Sequence, residues 1–479
     1  MRWKRSEREP QGLCYFGMSR GDITPPPGIY HRMWGAAKHE RATGVHRPLF
    51  ATVAVFGASE ERGVEQVLVA LDHCVMGAVE LNALVEAVAE EAGLGCGSVN
   101  VVFSHTHAAG LMGLDRRELP GGELIPDYLA RLGRECGRLA REAMERAVPA
   151  WVVQGTGRCS LARYRDYFDE VEGVPVVGYV PGVESDDTLV VARFSDANGR
   201  ALATVVNYAC HPTTLAWENT LISPDFVGAM REVVEEETGV PCLFLQGASG
   251  ELGPREGFVG DAAVADRNGR VLGYAALSVL LGLGPAGSQF AYVGPVVSGA
   301  TLGSWEHRPL GAEEMGAVGR WRRERWSELL RYRADLGTVS EVEQERAELI
   351  ARESGAREEG RLVEAGEFRA LAERKTRMLH RLAQLPTGES FPLDVAFFEM
   401  GDLVWVVVQG ESYSLLQREL RARFPERSIV VASIAGDWGA SYLLPRELYG
   451  SGIYQATIAA VEAGSLERLI EAISARLKS

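Results

Sequence analysis

Five stretches of this chain are unbroken runs of apolar, largely β-branched residues, and each ends at once in glycine or in polar side chains able to bind a metal. They are VNVVF at 99–103, ALATVVNYA at 201–209, VPCLFL at 240–245, LVWVVV at 403–408 and SIVVASI at 428–434. A strand that is apolar at every position, instead of every second one, has both faces covered. Helical patterns lie between them, as at 78–92, at 128–147 (amphipathic) and at 464–478. Further strands are expected at 50–56, 66–71 and 151–153, and the turn at 196–199 closes a hairpin between 188–194 and the run at 201–209. The pattern predicts a mixed α/β fold, a largely buried sheet covered by helices. In such sheets ligands bind beyond the carboxyl ends of the strands.

Composition changes between 311 and 385, where Arg, Glu, Ala and Leu dominate. Segments 321–336 and 342–382 read as long, mostly exposed helices, a charged helical hairpin inserted into an α/β body formed by 1–310 and 386–479. Its charge runs read most simply as solvated faces; a homo-oligomer contact through these helices is the second reading. The net charge of −15 excludes nucleic acid and anionic membrane surfaces as partners. Seven cysteines, an odd number without C-x-x-C spacing, exclude a disulfide framework and a zinc ribbon and fit a reduced, cytoplasmic compartment. The basic start, MRWKRSEREPQGLCYFG, lacks the apolar core of a signal peptide. No apolar stretch approaches the roughly 20 residues of a membrane span, so no stable membrane anchor is expected.

The chemistry gathers at the strand ends. After Phe103 the chain reads Ser104-His105-Thr106-His107, and in extended backbone His105 and His107 would share a face. Such a pair suits a divalent transition metal, although one structural and one exposed histidine is an equal reading of that stretch alone. His211 and Glu411 also follow strands. Two histidines and a carboxylate form a common catalytic zinc set that leaves a position open for water. His31, His39 and His46, in an irregular segment, read as surface or hydrogen-bonding residues. The H-E-x-x-H helix of the zincins is absent. A serine nucleophile at Ser249 competes, but Gly247-Ala-Ser-Gly250 is one residue short of G-x-S-x-G and no base accompanies it. No G-x-G-x-x-G follows a strand and there is no P-loop, which excludes nucleotide chemistry.

In order along the chain stand GDITPPPG at 21–28, ATGVHRPL at 42–49, SHTH at 104–107, NYACHPTTL at 207–215, ISPDFVGAMRE at 222–232, FLQGASGELGP at 244–254, QGESY at 409–413 and DWGASYLLPRELY at 437–449. Together they resemble the N-terminal catalytic domain of the neutral/alkaline, non-lysosomal ceramidase family, from Gly21 to Leu469. The resemblance implies a single zinc ion held by His105, His211, Glu411 and Tyr442. It places His107 against the water or the substrate carbonyl, and Arg165, in the run Arg163-Tyr164-Arg165, on the carbonyl. It implies hydrolysis of an amide C–N bond by zinc-activated water, with 1–310 and 386–479 as the metallohydrolase domain.

The sequence also departs from the family. A G-D-x-S-P stretch of the ceramidases is here Gly250-Glu-Leu-Gly-Pro254, with Gly253 in the place of the serine, and Gly439 replaces the first of two tyrosines. Neither the family's following β-sandwich domain nor a secretion signal is expected. The expected substrate is therefore a small amide, such as an acylated amine, as readily as ceramide. A serine hydrolase using Ser249 and a catalytically silent ligand-binding relative are the alternatives.

Overall fold

The apolar runs become strands of one twelve-stranded mixed sheet in the computed structural model, which describes residues 4–61 and 63–478. In chain order its strands are β1 (Gln11–Asp22), β2 (Phe50–Gly57), β3 (Gln66–Leu71), β4 (Val99–Phe103), β5 (Val148–Arg158), β6 (Thr188–Asp196), β7 (Ala201–Tyr208) and β8 (Cys242–Gln246). The set is completed by β9 (Trp321–Arg331), β10 (Ser390–Met400), β11 (Leu403–Gln409) and β12 (Ser428–Ala435). In space the order is β8-β7-β6-β5-β1-β2-β3-β4-β12-β11-β10-β9. The pairs β3/β4, β7/β8 and β11/β12 are parallel and the rest antiparallel. Each parallel pair presents two carboxyl ends on the same side.

Both faces of the sheet are covered, but by different means. Helices α1 (Ala78–Ala92) and α2 (Ile125–Glu145) pack on the outer face of β2 to β4. Helices α3 (Phe226–Thr238) and α4 (Ala262–Gly282) cover β6 to β8. The inner face closes on itself. Phe194 on β6 and Trp405 on β11, strands third and tenth in the spatial order, have ring centroids 6.0 Å apart. Phe56 stacks on Phe398 at 5.5 Å, and the Asn207 amide donates to the Val431 carbonyl at 2.9 Å. A large twisted sheet curls until its own strands exclude water. The result is a strand-on-strand core without a helical residue.

Segment 321–336 is not a helix. Trp321–Arg331 forms the edge strand β9, antiparallel to β10 along its whole length. Its composition is helix-like, but its burial alternates, and Trp326 and Leu330 are among the covered positions. The charges are answered by α8 (Ser465–Lys478), which lies with α7 (Leu415–Arg423) outside β10 to β12. Arg476 and Arg468 of α8 pair with Glu324 and Glu328 at 2.7 and 2.8 Å, and Arg476 lies over the Trp326 ring. A charged, alternating strand is how an exposed sheet edge resists unwanted pairing. Strand β1, which begins within the basic start, is also central to the sheet, where α2 packs so closely that a Cβ on Gly17 would stand 2.0 Å from the Ala143 carbonyl oxygen. The charged hairpin itself consists of α5 (Val339–Glu358), whose Thr338 caps its first turn with Glu341, and α6 (Leu362–Gln384). Among the described residues no helix is long and apolar enough to cross a membrane.

Candidate metal centre

The carboxyl ends of the parallel pairs converge. His105 follows β4, His211 follows β7, Glu411 follows β11, and Tyr442 lies beyond β12, its backbone paired with that of Glu411. His105 and His107 do not meet by strand alternation. Strand β4 stops at Phe103, and His105 has a left-handed backbone with φ 67°. A non-glycine residue there costs about 1–2 kcal/mol and is retained where the surroundings impose it. Ser441, before Tyr442, is left-handed too, with φ 56°.

Backbone carbonyls set the ring orientations. Nδ1 of His105 donates to Cys74 O at 2.9 Å, and Nδ1 of His211 to Ser249 O at 2.7 Å. Each Nε2 lone pair therefore faces the centre, where Glu411 Oε2 lies 3.3 Å from both. The Tyr442 hydroxyl is also 3.3 Å from His211 Nε2. Ligand atoms about 2.0–2.1 Å from a tetrahedral ion stand about 3.3–3.4 Å apart. The set is compatible with a metal ion, since two imidazole nitrogens and a carboxylate oxygen facing one another call for positive charge between them. Cys74, His105 and His107 form a second possible trio, but it shares His105, whose Nδ1 is already engaged.

The electrostatics agree. Burial works to raise the Glu411 pKa, yet His105 and His211 hold it well below the usual carboxylate range. Burial lowers His211 to about 3, with Arg165 adding to the effect. His105 is held well above its ordinary value against burial, by Cys74 and by Glu411; a proton and a metal ion answer the same negative charge. Burial, His105 and His211 keep His107 neutral. Its Nε2 is 3.4 Å from that of His105, and its ring packs on Trp34 at 5.2 Å.

Arg165 is brought in by a short strand pairing of 162–164 with 252–254 and by its amide donating to Glu251 O. Only 5% exposed, it aims Nη2 at Gly250 O (2.8 Å), His211 Nε2 (3.0 Å) and the Tyr442 hydroxyl (3.1 Å). Above the centre opens a cavity of about 1020 Å³, lined by His105, His107, Arg165, Glu411 and Tyr442 and walled by α5 and α6. The six residues singled out from sequence thus surround one point.

No protein-family model matches the chain. Over 258 residues it is 26% identical to the neutral ceramidase of Pseudomonas aeruginosa, a match spanning 50% of this chain and 37% of that protein's length. The crystal structure of the Pseudomonas aeruginosa neutral ceramidase superposes with a TM-score of 0.63 at 18% identity, over 97% of this chain and 74% of that one. A structure titled "Ceramidase complexed with C2" gives the same score and identity, over 98% and 75%. The chain is a homologue of neutral ceramidase.

The departures from the ceramidase motifs have a spatial meaning. A Cβ on Gly253 would stand 3.3 Å from Arg165 Cδ and 3.8 Å from Thr213 Oγ1, so the missing side chain widens the space beside Arg165. A Cβ on Gly439 would meet the Phe391 ring at 2.7 Å, which leaves no room for tyrosine. Ser249 lies behind His211, fully buried, with its hydroxyl accepting from Gln246 Nε2 at 2.7 Å, and it does not line the cavity. His31 is buried, with its Nε2 on Ala108 O at 3.0 Å, and supports the turn after His107. What the sequence reading missed are the orienting carbonyls of Cys74 and Ser249, which carry no residue-type signal, and the α6 arginines, hidden in a charge run.

Proposed function

We propose that the chain is a zinc-dependent hydrolase that cleaves the amide C–N bond of an acylated amine. The observation that supports this most is the meeting of His105 Nε2 and His211 Nε2 at Glu411 Oε2, 3.3 Å from each, on the floor of a cavity. His105, His211, Glu411 and Tyr442 would hold the ion. Zinc so bound polarises a carbonyl and lowers the pKa of water to about 7. His107, neutral and backed by Trp34, orients water and passes its proton toward the departing nitrogen. Arg165, held by Gly250 O and the Tyr442 hydroxyl, offers fixed positive charge where the carbonyl oxygen becomes an oxyanion. Trp34, Trp217, Phe258 and Trp438 line the cavity and exclude water around the reacting bond.

Metal analysis with an N-acyl amide panel tests the reading. Chelation should abolish hydrolysis and zinc restore it. His211→Ala should lose both metal and turnover, while Ser249→Ala keeps both. Full activity without a transition metal sinks the proposal, and labelling of Ser249 by a fluorophosphonate would turn it toward a serine hydrolase. Full metal occupancy with no amide or ester cleaved would mark a silent relative.

A further inference from the structure

The cavity also holds a cation that the proposed hydrolysis leaves unused. Arg374, Arg377 and Arg381 of α6 recur at helical spacing and line it. Arg377 pairs with Glu373 at 3.0 Å and donates to Met33 O. Arg374 donates to the Thr457 hydroxyl and lies 5.5 Å over the Tyr454 ring. Arg381 stands apart. It is 4% exposed, its side chain makes no hydrogen bond or ion pair among the described residues, and its buried Nε has no partner.

The acids that line the cavity are already engaged. Glu373 pairs with Arg116 at 2.9 Å, Glu345 with Lys375, and Glu348 accepts from Gln344 at 3.3 Å. Glu411 faces the two histidines. Burial draws the Arg381 pKa down to about 10, opposed by Tyr454 and Glu411, so it remains charged at neutral pH. A buried charge without a counter-charge is costly, and such groups are retained where a partner arrives from outside. Elsewhere the cavity wall includes the apolar side chains of Val75, Leu371, Met378 and Trp438.

Building on the hydrolase reading, we propose that Arg381 receives a carboxylate of the substrate, so that the amide cleaved is an N-acyl amino acid and not a neutral N-acyl amino alcohol. One unpaired guanidinium matches one negative charge, and the apolar wall takes the acyl chain. In the reaction the oxygen of water bonds to the acyl carbon, the C–N bond breaks, and both protons of that water pass to the departing nitrogen, which leaves as an ammonium group. The products are a fatty carboxylate and a free amino acid.

The test uses the metal-loaded protein and ketone isosteres of N-octanoylglycine and N-octanoylethanolamine, in which CH2 replaces the amide N–H. By calorimetry the acid should bind about tenfold or more tightly than the alcohol. Arg381→Met should bring that ratio to about one while leaving alcohol binding within about twofold, which also shows that the variant folds; Arg381→Lys should keep part of the preference. Equal affinities in the unaltered protein, or a preference that survives Arg381→Met, overturn the proposal. Turnover of the parent amides separates the two readings. Preferential binding of the acid with neither amide cleaved removes the hydrolase and leaves the anion site. Cleavage of both at equal kcat/KM removes the anion site and leaves the hydrolase.

Discussion

The two sides of the cavity are made differently. Its floor is the carboxyl ends of parallel strand pairs, with side chains fixed by backbone carbonyls and strained residues at 105 and 441. Its wall is a helical hairpin tied to the loops beside that floor by long charged side chains among other contacts, as in Arg116–Glu373 at 2.9 Å and the tie of Arg377 to Met33 O. A floor tied into a twelve-stranded sheet has little freedom to vary. A wall held by arginines can change its charge without disturbing the atoms below. The difference points to a division of labour, with chemistry below and choice of substrate above.

The sharpest way to break this division is at Arg165. Arg165→Met should lower kcat by about 10²–10³-fold, with metal content unchanged by elemental analysis. Loss of metal together with rate would make Arg165 part of the ion's support, and the floor would not be independent of its neighbours. Next in size is the hairpin. Phe368 is buried between α5 and α6 beneath Arg352. Phe368→Ala should destabilise the hairpin by about 3 kcal/mol and speed hydrogen exchange in 339–384, leaving metal content and exchange in the sheet as they are. Faster exchange throughout would show that floor and wall are one cooperative unit.

The smallest effect is a pH dependence confined to the floor. Burial pushes the Glu251 carboxyl up to about 7 from 4.5, although Ser414 N and Oγ favour its charged form. Below about pH 4.5 it is neutral folded and unfolded. Between 4.5 and about 7 only the unfolded chain loses the proton, so stability falls as pH rises through that window. Urea midpoints at pH 5 and pH 8 should show a loss of up to about 3 kcal/mol that Glu251→Gln removes. An identical slope in the variant would assign the dependence to other groups.

The floor was the more legible side because its signal is local. An apolar strand that ends abruptly in His105, His211 or Glu411 announces itself in a few residues. Their convergence is a property of the sheet order, which required the ceramidase resemblance to foresee. The wall's role was illegible for the opposite reason. Arg381 looks like any residue of a solvated charge run, and only its burial under tertiary packing sets it apart. Strand β9 was hidden similarly, since Arg and Glu favour helix locally while pairing with β10 and the cover of α8 decide for strand. The inner core escaped notice because periodicity shows that a strand is covered, not what covers it.

The self-closing sheet has a consequence for how the protein is made. Its two ends meet across an interior to which β12 contributes, and β12 stops at Ala435. His211 and Glu411 are 200 residues apart in sequence. At about 5–20 residues per second, roughly 10–40 s of translation separate the emergence of one from the other. Throughout that interval the ribosome-bound chain carries a half-built histidine site and an unclosed apolar face, so its most aggregation-prone state belongs to its synthesis and not to the finished fold.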